Sequence, residues 1–233
     1  MKKQKRAPLI SCASCGLETN ERICMGEEGS GSKGCPTLTQ KDLLNEANKE
    51  YEVPETKEFA RVASIQEAAC YSNREQRPYT MQPTKPRITE VCEFAKRMGY
   101  KRLGIAFCIG LAKEAGIVED IFKTYGFEVV SALCKAGRTP KETIGIKDDE
   151  KIFQGTNESM CNPIYQAKLL NQEQSEFNIL LGLCVGHDAL FFKYAEAPTT
   201  VLAVKDRVTG HNPLAAIYLS DTFFRRIKNP GLG

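Results

Sequence analysis

The sequence contains no tryptophan, only two histidines and no apolar run approaching the roughly 18 residues that a bilayer span requires. Its opening, MKKQKRAPLI, is basic, but the short apolar stretch is followed at once by Ser11 and Cys12. A secretory signal needs a longer apolar segment, so neither a signal peptide nor a membrane anchor is expected and a cytoplasmic protein is. A large excess of one charge is also missing. With 32 Lys and Arg against 29 Asp and Glu, the net charge is +3, which argues against nucleic acid as the partner. Nucleotide loops are absent too: FCIGLAKEAG lacks a Walker lysine and no G-x-G-x-x-G occurs. No internal repeat is visible.

What the chain has instead is cysteine, ten in 233 residues. Thiols in a cytoplasmic protein stay reduced, so metal or redox use gains weight over structural disulfides. Four of them, Cys12, Cys15, Cys24 and Cys35, follow the spacing C-x2-C-x8-C-x10-C around a Gly/Ser/Lys loop. A C-x-x-C turn lets two thiolates converge, and four thiolates suit tetrahedral zinc or an iron–sulfur cluster. A segment this short cannot bury a core of its own, so a metal staple is the natural source of stability.

Three regions are expected: a Cys-rich metal-binding segment (1–39), a helical segment (40–98) and an α/β domain (99–233). Helical spacing in the second region places Cys70 and Cys92 on apolar faces, where a free cysteine packs as a small hydrophobe. From residue 99 strands and helices alternate: strands at 101–107, 127–133, about 178–183 and 200–205, and helices at 111–125, from Pro163, at 188–194 and at 212–227. That order predicts a small four-stranded parallel sheet with helices on both faces, of flavodoxin-like or Rossmann-like type.

In such a sheet every strand opens on the same edge, where ligands bind. The stretch NILLGLCVGHDALFF would bring Cys184, His187 and Asp188 there. Cys108 and Cys134, the latter with Lys135 beside it, end two other strands, Cys161 starts a helix on that edge, and Lys205, Asp206, Arg207 and His211 follow the last strand. Gly110, Gly137 and Gly186 would allow close backbone approach. A helix N-terminus would keep His187 neutral, as ligand or donor. Asp188 has the simpler alternative of capping the helix, and Lys205, Asp206 and Arg207 could bind an anion or form an internal ion cluster.

The strings CASCG, AFCIG, ALCKAG, MCNPIYQA, GLCVGHDALF and VKDRVTGHNPLAA resemble the family of uncharacterised metal-binding proteins called domain of unknown function 1847. The resemblance implies metal binding by cysteines, occurrence mainly in anaerobic bacteria and archaea, and no established reaction. The residues it implicates are Cys12, Cys15, Cys24, Cys35, Cys108, Cys134, Cys161, Cys184, His187 and His211. The expectation is therefore an iron–sulfur protein with two sites, each able to take a 4Fe–4S cluster or zinc. The first comprises Cys12, Cys15, Cys24 and Cys35; the second comprises Cys108, Cys134, Cys161 and Cys184. It would serve electron transfer or redox-linked chemistry with a redox partner protein or a small-molecule ligand. A zinc-stabilised binding or sensing module with a reduced-thiol crevice is the alternative. A thiol enzyme with Cys184 activated by His187 is a third.

Overall fold

The computed structural model describes residues 9–231. The chain divides into two compact units, Met1–Ile65 and Gln66–Gly233. The boundary falls inside the segment expected to be helical, within one long helix. No described helix is long and apolar enough to cross a membrane.

In the first unit a 3-10 turn, Cys12–Ser14, is closed by the Cys15 N–H donating to the Cys12 carbonyl at 3.2 Å. Residues 22–30 fold back on themselves: Ile23 N–H donates to Ser30 O at 2.9 Å and Ser30 N–H to Glu21 O. Helices α1 (Pro36–Thr39) and α2 (Lys41–Lys49) follow, then α3 (Pro54–Ala69), which carries the boundary. Proline at the first position of α1 fits a site whose N–H would have no helical partner. Among the described residues of this unit only Val62 is buried, so apolar packing contributes little to holding it.

The second unit carries α4 (Arg87–Arg97) and then a regular alternation of β1 (Arg102–Phe107), α5 (Ala112–Thr124), β2 (Glu128–Leu133), α6 (Pro163–Gln172), β3 (Phe177–Leu181), α7 (His187–Tyr194), β4 (Thr199–Ala203) and α8 (Pro213–Tyr218). All strand pairs are parallel and the order is β2-β1-β3-β4. Right-handed crossovers then put α5 on one face of the sheet and α6 and α7 on the other. On the α6/α7 face Ala106, Ala132 and Leu180 pack with Ala167, Leu170 and Phe191. Opposite, Leu103, Ile105 and Ile179 are fully covered, and α5 buries Ala115, Val118 and Phe122. Cys70 and Cys92 are buried in packing, as their spacing predicts.

The C-terminal helix is shorter than expected. Instead of running over 212–227 it stops at Tyr218, and a 3-10 turn at Arg225–Lys228 ends the described chain's helical structure. Ser220, Asp221 and Thr222 intervene, residues whose side chains compete for backbone hydrogen bonds and weaken a helix interior. The fourth strand likewise ends at Ala203 rather than Lys205, where its pairing with β3 already carries an irregularity at Leu180/Leu181.

The sheet register sets up the site. Phe107 pairs with both Leu133 and Leu181, so Cys108, Cys134 and Gly182 leave the sheet side by side. In this strand order the connections from β1 and β3 run in opposite directions. The carboxyl ends of these two strands therefore flank the topological switch point where open α/β sheets bind ligands.

Candidate thiol site at the strand ends

Two strand ends and one crossover build the site. Cys108 and Cys134 are 7% and 1% exposed. Cys161 is delivered by the long loop between β2 and α6, which is fastened near its end: Met160 N–H donates to Thr139 O at 2.8 Å and Asn162 N–H to the Cys134 carbonyl at 2.8 Å. Farther out, buried Glu158 accepts from the Ile152 N–H at 3.0 Å and pairs with Lys141 at 2.9 Å, which holds the loop against itself. The Asn162 side chain then accepts from Tyr165 N–H at 3.0 Å and starts α6. As a result the Cys161 and Cys134 sulfurs lie 3.7 Å apart.

The contacts form a row: Cys108 touches Cys134, Cys134 touches Cys161, and Cys161 touches His187. Cys134, in the middle, is pushed far up by Cys108 first, then by Cys161 and by burial, and stays a thiol. Its sulfur also accepts the Ile109 N–H at 3.4 Å. Cys108 is held well below the ordinary thiol range, chiefly by Cys134 beside it, with the Gly110 backbone and the Lys205 ammonium adding to the effect. A Cβ at Gly110 would stand 3.2 Å from Lys205 Nζ, so the glycine lets that ammonium lie close to the loop. Cys161 is likewise held low, by Cys134 first, then His187, with the Lys135 charge contributing. The central Cys134 sulfur is thus pushed toward the thiol form and its two neighbours toward the thiolate, Cys108 near the Lys205 ammonium and Cys161 near His187 and Lys135.

His187 departs from expectation. Its pKa is raised by the Cys161 sulfur it faces, which outweighs the opposing effect of its partial burial. Cys184 also departs from the fourfold cluster: its sulfur accepts from the Arg207 guanidinium at 3.2 Å, while its carbonyl receives the His187 N–H at 2.9 Å. Asp188 accepts from its neighbours' backbone, Gly186 N–H at 3.0 Å and Ala189 N–H at 2.8 Å, the capping alternative. Asp206 accepts from Val208 and Thr209 N–H, and His211 N–H donates to the Asp206 carbonyl at 2.8 Å. These two residues tie the loop after β4 rather than reach toward the sulfurs. Gly186 has nothing near its missing Cβ and is required instead for its φ of +85°.

One residue of the site, Gln166, went unseen in the sequence reading, and Lys135 was expected on this edge without an assigned role. Lys135, next to Cys134, donates to the Ser159 carbonyl and so braces the loop that carries Cys161. Gln166 of α6 is fully buried and donates to the Phe107 carbonyl at 3.1 Å and the Ala132 carbonyl at 2.7 Å, clamping the two strand ends under Cys108 and Cys134. A lone polar residue on the buried face of α6, between Pro163 and Ala167, was the available signal.

In the first unit all four N-terminal cysteines line one cavity of about 80 Å³, together with Arg22, Ser32 and Lys33. Gly31 forms part of its wall: a Cβ there would come within 3.2 Å of the Cys35 sulfur. Cys15 is lowered by the Leu17 backbone N–H first, then by the Ser32 hydroxyl and the Arg22 charge, so donors already face this sulfur. Among the described residues, no three His, Cys, Asp or Glu side chains close in on one point as ligands of a single ion would.

The family described as Protein of unknown function (DUF1847) matches residues 35–202, a span that includes Cys35, the four strand-end cysteines and His187. The uncharacterized protein MJ0455 of Methanocaldococcus jannaschii is 40% identical over 209 residues, covering 90% of this chain and 94% of that protein.

Proposed function

The chain belongs to the DUF1847 family of proteins of unknown function, and from that premise we propose that it is an iron–sulfur redox protein with a separate thiol site. Cys12, Cys15, Cys24 and Cys35 would hold the cluster, which when bound supplies one-electron transfer. The observation that carries this reading is the shared cavity. Its volume of about 80 Å³ is several times the roughly 10–15 Å³ that one water-sized body needs. In a four-iron cluster each thiolate ligates a different iron, so the ligands stand around a polyatomic body rather than close on one ion. The Leu17 N–H and the Ser32 hydroxyl at Cys15 supply the kind of hydrogen bonds that tune cluster potentials. A unit with almost no buried apolar residues is also one that a metal staple would hold together.

The strand-end thiols take a different part in this reading. Their contacts run in a row from Cys108 to His187 and Cys184 belongs to Arg207, which suits reactive thiols poised beside cations better than a second four-cysteine cluster. Lys205, Arg207 and His187 would keep thiolates charged and orient an anionic group of a small-molecule or protein partner. Visible spectra of anaerobically purified variants test the assignment. Cys15→Ser and Cys24→Ser should lose the broad charge-transfer absorption, whereas Cys108→Ser and Cys161→Ser should keep it. Absorption that survives Cys15→Ser and Cys24→Ser but disappears with Cys108→Ser would reverse the roles of the two sites.

A further inference from the structure

The strand-end row contains a pair of cysteines placed for disulfide chemistry, and we propose that Cys161 and Cys134 form a dithiol–disulfide couple that reduces disulfide substrates. The proposal rests on the reading of the strand-end cysteines as free thiols and is independent of the N-terminal cluster. Three structural observations support it. The sulfurs are 3.7 Å apart, so forming an S–S bond requires them to approach by only about 1.7 Å. The two backbones are already joined beside these cysteines, Asn162 N–H to the Cys134 carbonyl at 2.8 Å, so the chain segments that carry the pair are held together. Burial is unequal: Cys161 is half-buried at the edge of the crevice and Cys134 is 1% exposed behind it. An accessible sulfur that meets the substrate and a sheltered one that resolves the intermediate is the division of labour that exchange needs.

The reaction balances with a disulfide R–S–S–R as the oxidant. The Cys161 thiolate attacks one sulfur, the R–S–S–R bond breaks, and a Cys161 mixed disulfide forms with release of one thiolate. That thiolate takes the proton of Cys134, whose sulfur attacks the Cys161 sulfur. The mixed disulfide breaks, the Cys134–Cys161 bond forms and the second substrate half leaves as a thiolate. Two electrons pass from the cysteine pair to the substrate, and the products are one thiol, one thiolate and the protein disulfide. His187, facing the Cys161 sulfur, and Lys135 supply positive charge where the substrate half departs.

The test uses the full chain, purified without oxygen and incubated with glutathione disulfide, followed by peptide mapping under conditions that trap free thiols. The expected product is a Cys134–Cys161 cross-link with two molecules of glutathione released per cross-link. Cys134→Ser should stop at glutathione attached to Cys161, and Cys161→Ser should release no glutathione from this site. Far-ultraviolet circular dichroism checks that each variant is folded, and the wild-type map stands even where the buried Cys134→Ser is not. A wild-type map in which other cysteines are oxidised and no Cys134–Cys161 peptide appears would overturn the proposal, as would a Cys161→Ser protein that consumes glutathione disulfide as fast and to the same stoichiometry as wild type. Iron content on the same preparation separates the two readings: missing iron counts against the N-terminal cluster, and a missing cross-link counts against the couple.

Discussion

Replacing Gln166 by leucine removes the clamp between the strand ends that carry Cys108 and Cys134. Two donated bonds disappear, to Phe107 O at 3.1 Å and to Ala132 O at 2.7 Å. The losses are unequal. Phe107 O keeps the Cys134 N–H at 2.9 Å, so it remains paired. Ala132 O likewise keeps the Phe107 N–H of the β1–β2 ladder, and the shorter Gln166 bond to it carries the larger share of the loss. Against this, the Gln166 Oε1 is itself buried without a partner, and its removal relieves a penalty. Since neither carbonyl is left without a partner, the loss is that of two added hydrogen bonds at about 0.5–1.5 kcal/mol each, and the relieved oxygen returns part of it, for a net loss of about 1–2 kcal/mol. For a domain of this size that corresponds to a fall in Tm of roughly 2–8 °C. Thermal unfolding followed by circular dichroism, in the presence of reductant, reads it directly. A Gln166→Leu protein as stable as wild type, or more so, would refute the clamp, because leucine's added apolar burial would then have outweighed both bonds.

Other perturbations test other parts of the account. Gly104→Ala places a Cβ against Asn178 Oδ1 and 2.9 Å from Leu170; both neighbours are buried, and urea unfolding should show a loss of about 1–3 kcal/mol from overpacking. Gly31→Ala brings a Cβ to 2.5 Å from Leu38 Cδ1 and 3.2 Å from the Cys35 sulfur, and should lower the iron content per chain while leaving the far-ultraviolet circular dichroism unchanged. Iodoacetamide labelling of Cys161, read by mass spectrometry, should change less than about threefold between pH 8 and pH 6, whereas an ordinary thiol slows roughly 75-fold over that range. The cause is the lowering of Cys161 by Cys134 and His187; His187→Gln should steepen the profile. Because His187 is raised in the folded protein, its contribution to stability is fully present below its ordinary value of 6.5 and is lost as pH rises through the higher folded value. The Tm difference between wild type and His187→Gln should accordingly shrink from pH 6 to pH 9.

The sheet was readable because its signals are local. Buried parallel strands such as Leu103–Phe107 and Phe177–Leu181 are continuous apolar runs, and their ends are marked by cysteine and glycine. That placed Cys108, Cys134 and Cys161 on one edge in advance. Which sulfur meets which partner was not readable, since it depends on strand order and on loops that return from far along the chain. Cys161 reaches Cys134 only because the loop before α6 is fastened at Thr139 and Cys134. Cys184 follows β3, flanked by β1 and β4, but Arg207 of the next loop holds its sulfur. His211 looked like a site residue and instead closes the 204–211 turn through Asp206. Gln166 was hidden for the opposite reason: one polar residue on a helix face carries no pattern until the carbonyls it binds are known.

Iron and acid-labile sulfide per chain, measured on protein purified without oxygen, test the central claim most directly. The account predicts about four of each, with both lost when Cys12, Cys15, Cys24 and Cys35 are replaced by serine and both kept when Cys108, Cys134, Cys161 and Cys184 are replaced. A colourless protein with about one zinc and no sulfide, or iron that persists without the N-terminal cysteines, would contradict it.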